Sequence, residues 1–309
     1  MGFATLFPRV RRDNAPSSGL ILYNVRMNRM WALVVGAALL TGCGTLDVLD
    51  AESSPQETVK PKPMEKKFAM ETIKYKGDLG LDLYLPEAPN DAFKVAAPQL
   101  IVLIHGGGWS TGKRTDLAQL AEFFAERHFA VATISYRLSL AAYWPAPLED
   151  AQAAVKFLKA NASKYGYSTR RIIAGGESAG GHLSMWLGVK GDVQMVLSIS
   201  GLHDLSIKMT PEGESYKIVQ KALGPKYPAG IKAFSPLNFV TKKMCPTFFI
   251  HGLKDPWVPI EHSQVAAKKL QKLGVRTKLS LVPGMGHGIK PDLDAEKFAL
   301  EDFIEWYHQ

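Results

Sequence analysis

Cysteine is scarce in this 309-residue chain: there are two, Cys43 and Cys245. Two cysteines cannot build a disulfide scaffold, and no Cys/His cluster has the spacing of a structural zinc site. The 27 glycines and 19 prolines are too sparse and aperiodic for collagen-like or linker material. Charge of one sign is in modest excess, with 37 Lys and Arg against 29 Asp and Glu, a net of +8. Residues 1–42 hold five arginines and one aspartate, which leaves +4 for residues 43–309. That balance is ordinary for a soluble domain and calls for no nucleic-acid partner. What is present is apolar material, 46% of the residues, with 21% charged. This excludes a disordered chain and suffices for one sizeable core.

The run Trp31 to Leu40 is ten residues of apolar or small character, too short for a bilayer span of about 20 residues. Arg29 precedes it and Leu40-Thr41-Gly42-Cys43 closes it. A basic stretch, an apolar core and small residues before a cut describe a secretory signal. The Leu-Thr-Gly-Cys ending resembles the lipobox of bacterial lipoproteins, which implies lipidation of Cys43 and membrane anchoring. An ordinary signal peptide is the alternative. Residues 1–26 fit no part of a signal, so Met27 or Met30 is the more natural start and residues 1–42 read as upstream extension plus signal. Gly44, rather than Asp, after the cysteine implies the outer membrane by resemblance to enterobacterial lipoprotein sorting. Residues 43–67, with Lys60-Pro61-Lys62-Pro63, read as an extended tether. Cys245 is then left without a partner and is expected to be a buried free thiol.

Residues 68–309 alternate strand and helix. Strands are predicted over 68–77, 79–85, 98–104, 129–136, 171–174, 193–199, 246–250 and 277–282. Helices are predicted over 116–127, 148–164, 180–189, 260–273 and 294–306. The order implies an α/β domain, a mostly parallel sheet with helices on both faces. Residues 201–238 break the rhythm and carry four prolines; a loop of that length reads as a lid or insertion.

Ligands of such sheets bind at the carboxyl ends of the strands, and four of those ends carry unusual sequence. Gly176-Glu177-Ser178-Ala179-Gly180 lies between a predicted strand and a predicted helix. Gly-x-Ser-x-Gly in that context reads as a nucleophile elbow. The turn is too tight for side chains two positions either side of the serine, and the following helix aims free N–H groups at negative charge. His105-Gly106-Gly107-Gly108-Trp109 follows the strand at 98–104. Bare glycines expose backbone N–H groups. A phosphate loop would need Gly-Lys-Ser/Thr in register, which Gly112-Lys113-Arg114 does not supply. The glycines suit an oxyanion hole, with His105 as an orienting residue and Trp109 either packed beneath the loop or lining the acyl pocket. Asp255, in Gly252 to Pro259, and His287, in Gly284 to Gly288, follow two further strands. Alone, Asp255 before Pro256 is a weak signal that a turn would also give, and a lone loop histidine is more often just surface. Their order, Ser178 then Asp255 then His287, is what sharpens them.

The chain resembles α/β-hydrolases of the esterase/lipase group with a His-Gly-Gly-Gly loop, on the hormone-sensitive-lipase-like side. It is similar to small bacterial esterases related to feruloyl and acetyl-xylan esterases. The stretches that carry this are His105 to Trp109, Ser135 to Leu138, Trp144 to Pro147 with Glu149-Asp150, Gly175 to His182, and Asp255 with Val258-Pro259. Glu177 departs from the Asp more usual there. The resemblance implies Ser178 as nucleophile, His287 as base, Asp255 as its orienting acid, and Gly107, Gly108 and Ala179 as oxyanion donors. It implies no metal or organic cofactor. His105, Trp109, Asp204 and Trp257 are further candidates for the substrate pocket; Asp204 is a weaker rival to Asp255, His182 reads as structural support, His251 as assisting or capping, and Glu149 and Asp150 as caps and as support of the site. The polar character of 201–238 favours short-chain, acetyl or carbohydrate esters over lipids. An amidase, formamidase or peptidase-like hydrolase with the same machinery, and a non-catalytic binding module of this fold, are the alternatives.

Overall fold

The computed structural model describes residues 67–87, 96–139, 141–207 and 214–309. The signal expected over 1–42, Cys43 and the tether up to residue 66 lie outside the described residues.

The domain is built on one eight-stranded sheet, ordered β1-β2-β4-β3-β5-β6-β7-β8. Its strands are β1 (Phe68–Lys76), β2 (Leu79–Pro86), β3 (Gln99–Ile104), β4 (Ala130–Ile134), β5 (Ser168–Glu177), β6 (Met195–Ile199), β7 (Thr247–Gly252) and β8 (Thr277–Val282). β1 and β2 pair antiparallel to each other, and β2 antiparallel to β4. Every later pairing is parallel. The helices are α1 (Ala118–Ala125), α2 (Ala146–Ala160), α3 (Ala162–Tyr165), α4 (Ala179–Lys190), α5 (Glu214–Leu223), α6 (Ile231–Phe234), α7 (Glu261–Lys272) and α8 (Asp294–His308).

Strand β3 explains the layering. Successive side chains of a strand face opposite ways, and every residue from Leu100 to Ile104 is fully buried. Leu100, Val102 and Ile104 join Leu148, Ala151, Leu183 and Leu270, from α2, α4 and α7, in one core. Ile101 and Leu103 join Leu120, Phe124, Leu300 and Phe303, from α1 and α8, in the other. An all-apolar run is thus read as a strand with helices on both faces.

The chain leaves β3 toward β4 and leaves β5 toward β6, in opposite directions, although β3 and β5 are neighbours. That makes the carboxyl ends of β3 and β5 a topological switch point, where such sheets open a crevice.

Four expectations need correction. The strand predicted over 171–174 runs from Ser168 to Glu177. Gly176, read as the start of the turn, and Gly175 before it both sit inside the sheet; a β-carbon on Gly175 would lie 2.9 Å from Leu103 Cδ2, and one on Gly176 2.6 Å from the Gly180 backbone, as the tight elbow requires. The helix predicted over 148–164 starts at Ala146 and divides at Asn161, before α3 and a left-handed Gly166. The stretch 201–238 contains helices α5 and α6, which its prolines concealed. Cys245 is a partly exposed free cysteine, although burial still pushes its thiol up to about 12.

Candidate active site

Ser178 ends the tight turn out of β5. Its backbone has φ 54° and ψ −117°, a conformation an L-residue adopts only where its surroundings force it. The Ser178 N–H donates to the Ile199 carbonyl at 2.9 Å, and the His182 N–H to the Ser178 carbonyl at 3.0 Å. A β-carbon on Gly180 would collide with the carbonyl of Ile104. The turn is therefore fixed on both sides, by β6 and by β3. Ala179 opens α4, whose first N–H groups have no intrahelical acceptor.

The glycine loop after β3 has three successive positive φ values, 95° at Gly107, 57° at Gly108 and 59° at Trp109. Trp109 is no glycine, so that strain of roughly 1–3 kcal/mol is held by packing. Its indole is fully buried, its Nε1–H lies 3.3 Å from His182 Nδ1, and its ring stands 4.8 Å from Phe234. The Gly107 carbonyl accepts from the N–H groups of Ser110 and Thr111 and from the Thr111 hydroxyl. Behind the loop the Tyr136 hydroxyl lies 3.1 Å from the His105 carbonyl and 3.2 Å from that of Gly106.

Asp255 and His287 meet after β7 and β8. His287 Nδ1 lies 2.8 Å from Asp255 Oδ2. A carboxylate only accepts, so Nδ1 carries the proton and Nε2 is left as the basic nitrogen. Asp255 Oδ1 accepts from the N–H groups of Trp257 and Val258, both at 2.9 Å. Burial acts to raise the Asp255 carboxyl, but its hydrogen bonds to His287, Val258 and Trp257 outweigh this and hold it below its ordinary value. His251 stands behind it. Its Nε2–H donates to the Val258 carbonyl at 2.9 Å and lies 3.5 Å from Asp255 Oδ2.

Ser178, His287, Gly107 and Gly108 line one cavity of about 280 Å³, with Trp109 and Trp257 in its wall. Trp257 is 55% exposed. No hydrogen bond joins Ser178 to His287 among the described residues; the two side chains share the cavity lining. The structure does not bring His105 or Asp204 to the cavity. The His105 ring turns inward, stacked on Tyr136 at 4.3 Å, and burial holds its pKa below the ordinary value. Asp204 is taken up by a turn, accepting from the Ser206 N–H at 3.0 Å and its hydroxyl at 2.6 Å. His182 is buried, its Nε2 2.7 Å from the Phe234 carbonyl, and burial lowers its pKa to about 3.

Two residues of the site were not legible as such. Glu177, known only as a departure beside Ser178, accepts from the Ile289 N–H at 2.8 Å and so holds the loop that carries His287. The signal was the extra methylene over Asp, which lengthens its reach. Ile218 lines the cavity from α5, and nothing in a loop-like segment announces it.

With this geometry in place, the BD-FAE family model matches residues 81–270. The chain belongs to the BD-FAE family. Esterase LipC of Mycobacterium tuberculosis is 27% identical over 213 residues, which is 61% of this chain and 52% of that protein. Carboxylesterase NlhH of the same organism is 27% identical over 249 residues, 72% of this chain and 76% of that one. The chain spans about half the length of LipC, LipQ and LipM. Among solved structures, a truncated carbohydrate esterase from gut microbiota superposes with a TM-score of 0.69 at 26% identity, covering 80% of this BD-FAE chain and 99% of that one. Esterase 2 of Thermogutta terrifontis with propionate bound has a TM-score of 0.64 at 25% identity, covering 77% and 93%. The fold is that of α/β-hydrolases.

Proposed function

We propose that this chain is a serine carboxylesterase that hydrolyses short-chain acyl esters, acetyl above all, including esters on carbohydrate. The single observation that carries the reading is the 2.8 Å bond from His287 to Asp255, in a cavity shared with Ser178 and the glycine loop. His287 Nε2 takes the Ser178 proton as Oγ attacks the ester carbonyl. Asp255 keeps the His287 proton on Nδ1 and stabilises the imidazolium. The N–H groups of Gly107, Gly108 and Ala179 receive the oxyanion; one such donor is typically worth about 3 kcal/mol. His287 returns its proton to the departing alcohol, and water releases the acid from Ser178. The small cavity supports a short acyl group. The acetyl preference is supported by likeness to a versiconal hemiacetal acetate esterase of Dothistroma septosporum, 28% identical over 232 residues. The carbohydrate preference is supported by the gut carbohydrate esterase described above. We assign the chain to the cell envelope through lipid on Cys43, the outer membrane being the expected layer.

Ser178→Ala is expected to lower hydrolysis of a chromogenic acetyl ester at least about 10⁴-fold and to abolish labelling by a fluorophosphonate probe, with the circular dichroism spectrum retained. Undiminished turnover in that variant overturns the reading.

A further inference from the structure

We propose that Ile218, carried on the inserted helix α5, sets the length of acyl chain the cavity accepts. This rests on the carboxylesterase reading above. Ile218 is partly buried and lines the cavity together with Leu202. A β-carbon built on Gly108 would lie 2.5 Å from Ile218 Cγ2. The isoleucine methyl therefore occupies the space that a side chain at position 108 would need, directly against the backbone assigned to the oxyanion.

The wall is fixed from behind. Val219, Ala222 and Leu223 of α5 are buried in the same core as Trp144 and Phe234. The Trp144 N–H donates to the Ala222 carbonyl at 3.0 Å, and Gly224 turns against the Tyr143 ring. A β-branched side chain on a helix has one strongly preferred rotamer, so Ile218 cannot swing aside cheaply.

The stereochemistry of the tetrahedral carbon gives the direction. It carries Ser178 Oγ, the oxyanion, the leaving alcohol and the acyl chain. The alcohol oxygen has to come within reach of His287, which protonates it. On that side the cavity wall is Trp257 and Val258, from the loop that Asp255 holds. The acyl chain takes the remaining direction, along the glycine loop, where Ile218 stands against Gly108; Trp109 and Leu202 are the other apolar side chains lining the cavity there. An acetyl group places one carbon there. Each further methylene has to displace the Ile218 methyl.

The test uses the enzyme with Ile218 intact, Ile218→Ala and Ile218→Phe on two ester series. One varies the acyl group from acetyl to hexanoyl on 4-nitrophenol; the other varies the alcohol with acetyl fixed. Ile218→Ala is expected to raise the hexanoyl-to-acetyl ratio of kcat/KM about tenfold or more, since one methylene in an apolar pocket is worth about 10–200-fold. Ile218→Phe is expected to lower that ratio. Because the two substitutions move it in opposite directions, poor folding of one leaves the other to decide. A ratio within about twofold of the unsubstituted enzyme in the folded variants, or a change confined to the alcohol series, overturns the assignment. Fluorophosphonate labelling at Ser178 with unchanged ratios rejects Ile218 alone; an unlabelled Ser178 with no ester hydrolysed rejects the carboxylesterase reading and this inference with it.

Discussion

Asp255 uses its two carboxylate oxygens differently. One holds the His287 ring and the other holds the Trp257 and Val258 N–H groups, so one side chain orients that imidazole, the base of the proposed mechanism, and shapes the cavity wall. Asp255→Asn tests the first duty alone. The amide oxygen can still accept from the two N–H groups, while the amide nitrogen faces His287 Nδ1 and forces its proton onto Nε2. The expected loss in kcat is about 10⁴-fold, with the melting temperature little changed; a loss under tenfold would remove Asp255 from the triad. Glu177 acts at one remove. Burial pushes its carboxyl above the usual carboxylate range, against the pull of the Ile289 N–H and the His287 charge. A β-carbon on Gly288 would lie 3.5 Å from that carboxyl, so it lies close under the His287 loop. Glu296 takes the next N–H, that of Lys290. Glu177→Ala is expected to lower kcat about 10–100-fold through loosening of that loop, since small misplacement in a preorganised site is costly. Glu177→Gln, which keeps an acceptor, is expected to retain more activity and to keep the Ile289 amide protected from hydrogen exchange. Equal activity and equal protection in the two variants would exclude the anchoring role.

Among the elements, α2 shows how the sheet and the site are tied. Asp150 on α2 is fully buried and receives Lys76 of β1 at 2.7 Å and Arg137, from the segment after β4, also at 2.7 Å. Burial acts to raise its carboxyl, but the hydrogen bonds from Arg137 and Lys76 prevail and its pKa is lowered. Its stabilising effect is therefore complete above the unfolded value of about 3.9 and is lost as pH falls through the lower folded value. Asp150→Asn is expected to cost about 3 kcal/mol at pH 7, the low end for a broken buried pair, because both cations are partly exposed. Urea titrations at several pH values should show a shallower acid limb in this variant; an unchanged limb would mean that other carboxylates set it. The sequence marked Glu149 and Asp150 as helix-start acids and as support of the site without naming what they hold, because the ion pairs of Asp150 join residues 74 and 13 positions apart. The same distinction separates what was legible elsewhere. β3, the elbow and the glycine loop carry their meaning in consecutive residues, so they could be read directly. The length of β5 could not, since Gly175 is demanded by Leu103 of the neighbouring strand, 72 positions earlier in the chain. Nor could α5, whose apolar face gains meaning only beside Trp144 and Phe234. His105 and Asp204 looked functional because they end strands, but a strand end supplies two faces, and theirs are inward and in a turn.

For the molecule as a whole, the described domain begins at residue 67. Phe68 opens β1, is 8% exposed and packs against Tyr84 with ring centroids 5.7 Å apart. The Glu87 N–H closes back on the Lys67 carbonyl at 3.0 Å. Among the described residues, Phe68 is the first to join either core. A chain beginning at residue 67 is accordingly expected to fold with the same melting temperature and the same kcat/KM on an acetyl ester as the longer protein. A drop of more than about 5 °C, near 1–2 kcal/mol for a domain of this size, would assign residues 1–66 a part in the fold. Their expected contribution is location. Each buried methylene of an acyl chain contributes about 0.8 kcal/mol, and more than one chain is needed for a stable anchor. Cys43→Ser removes the thiol that would carry those chains and changes nothing from residue 67 onward. Expressed in a bacterium that lipidates exported proteins, the unsubstituted chain should take up radiolabelled palmitate and sediment with outer membranes. The variant should lose the label and leave its esterase activity in the soluble envelope fraction. Activity that stays with the membranes in the unlabelled variant would place the anchor elsewhere in the chain.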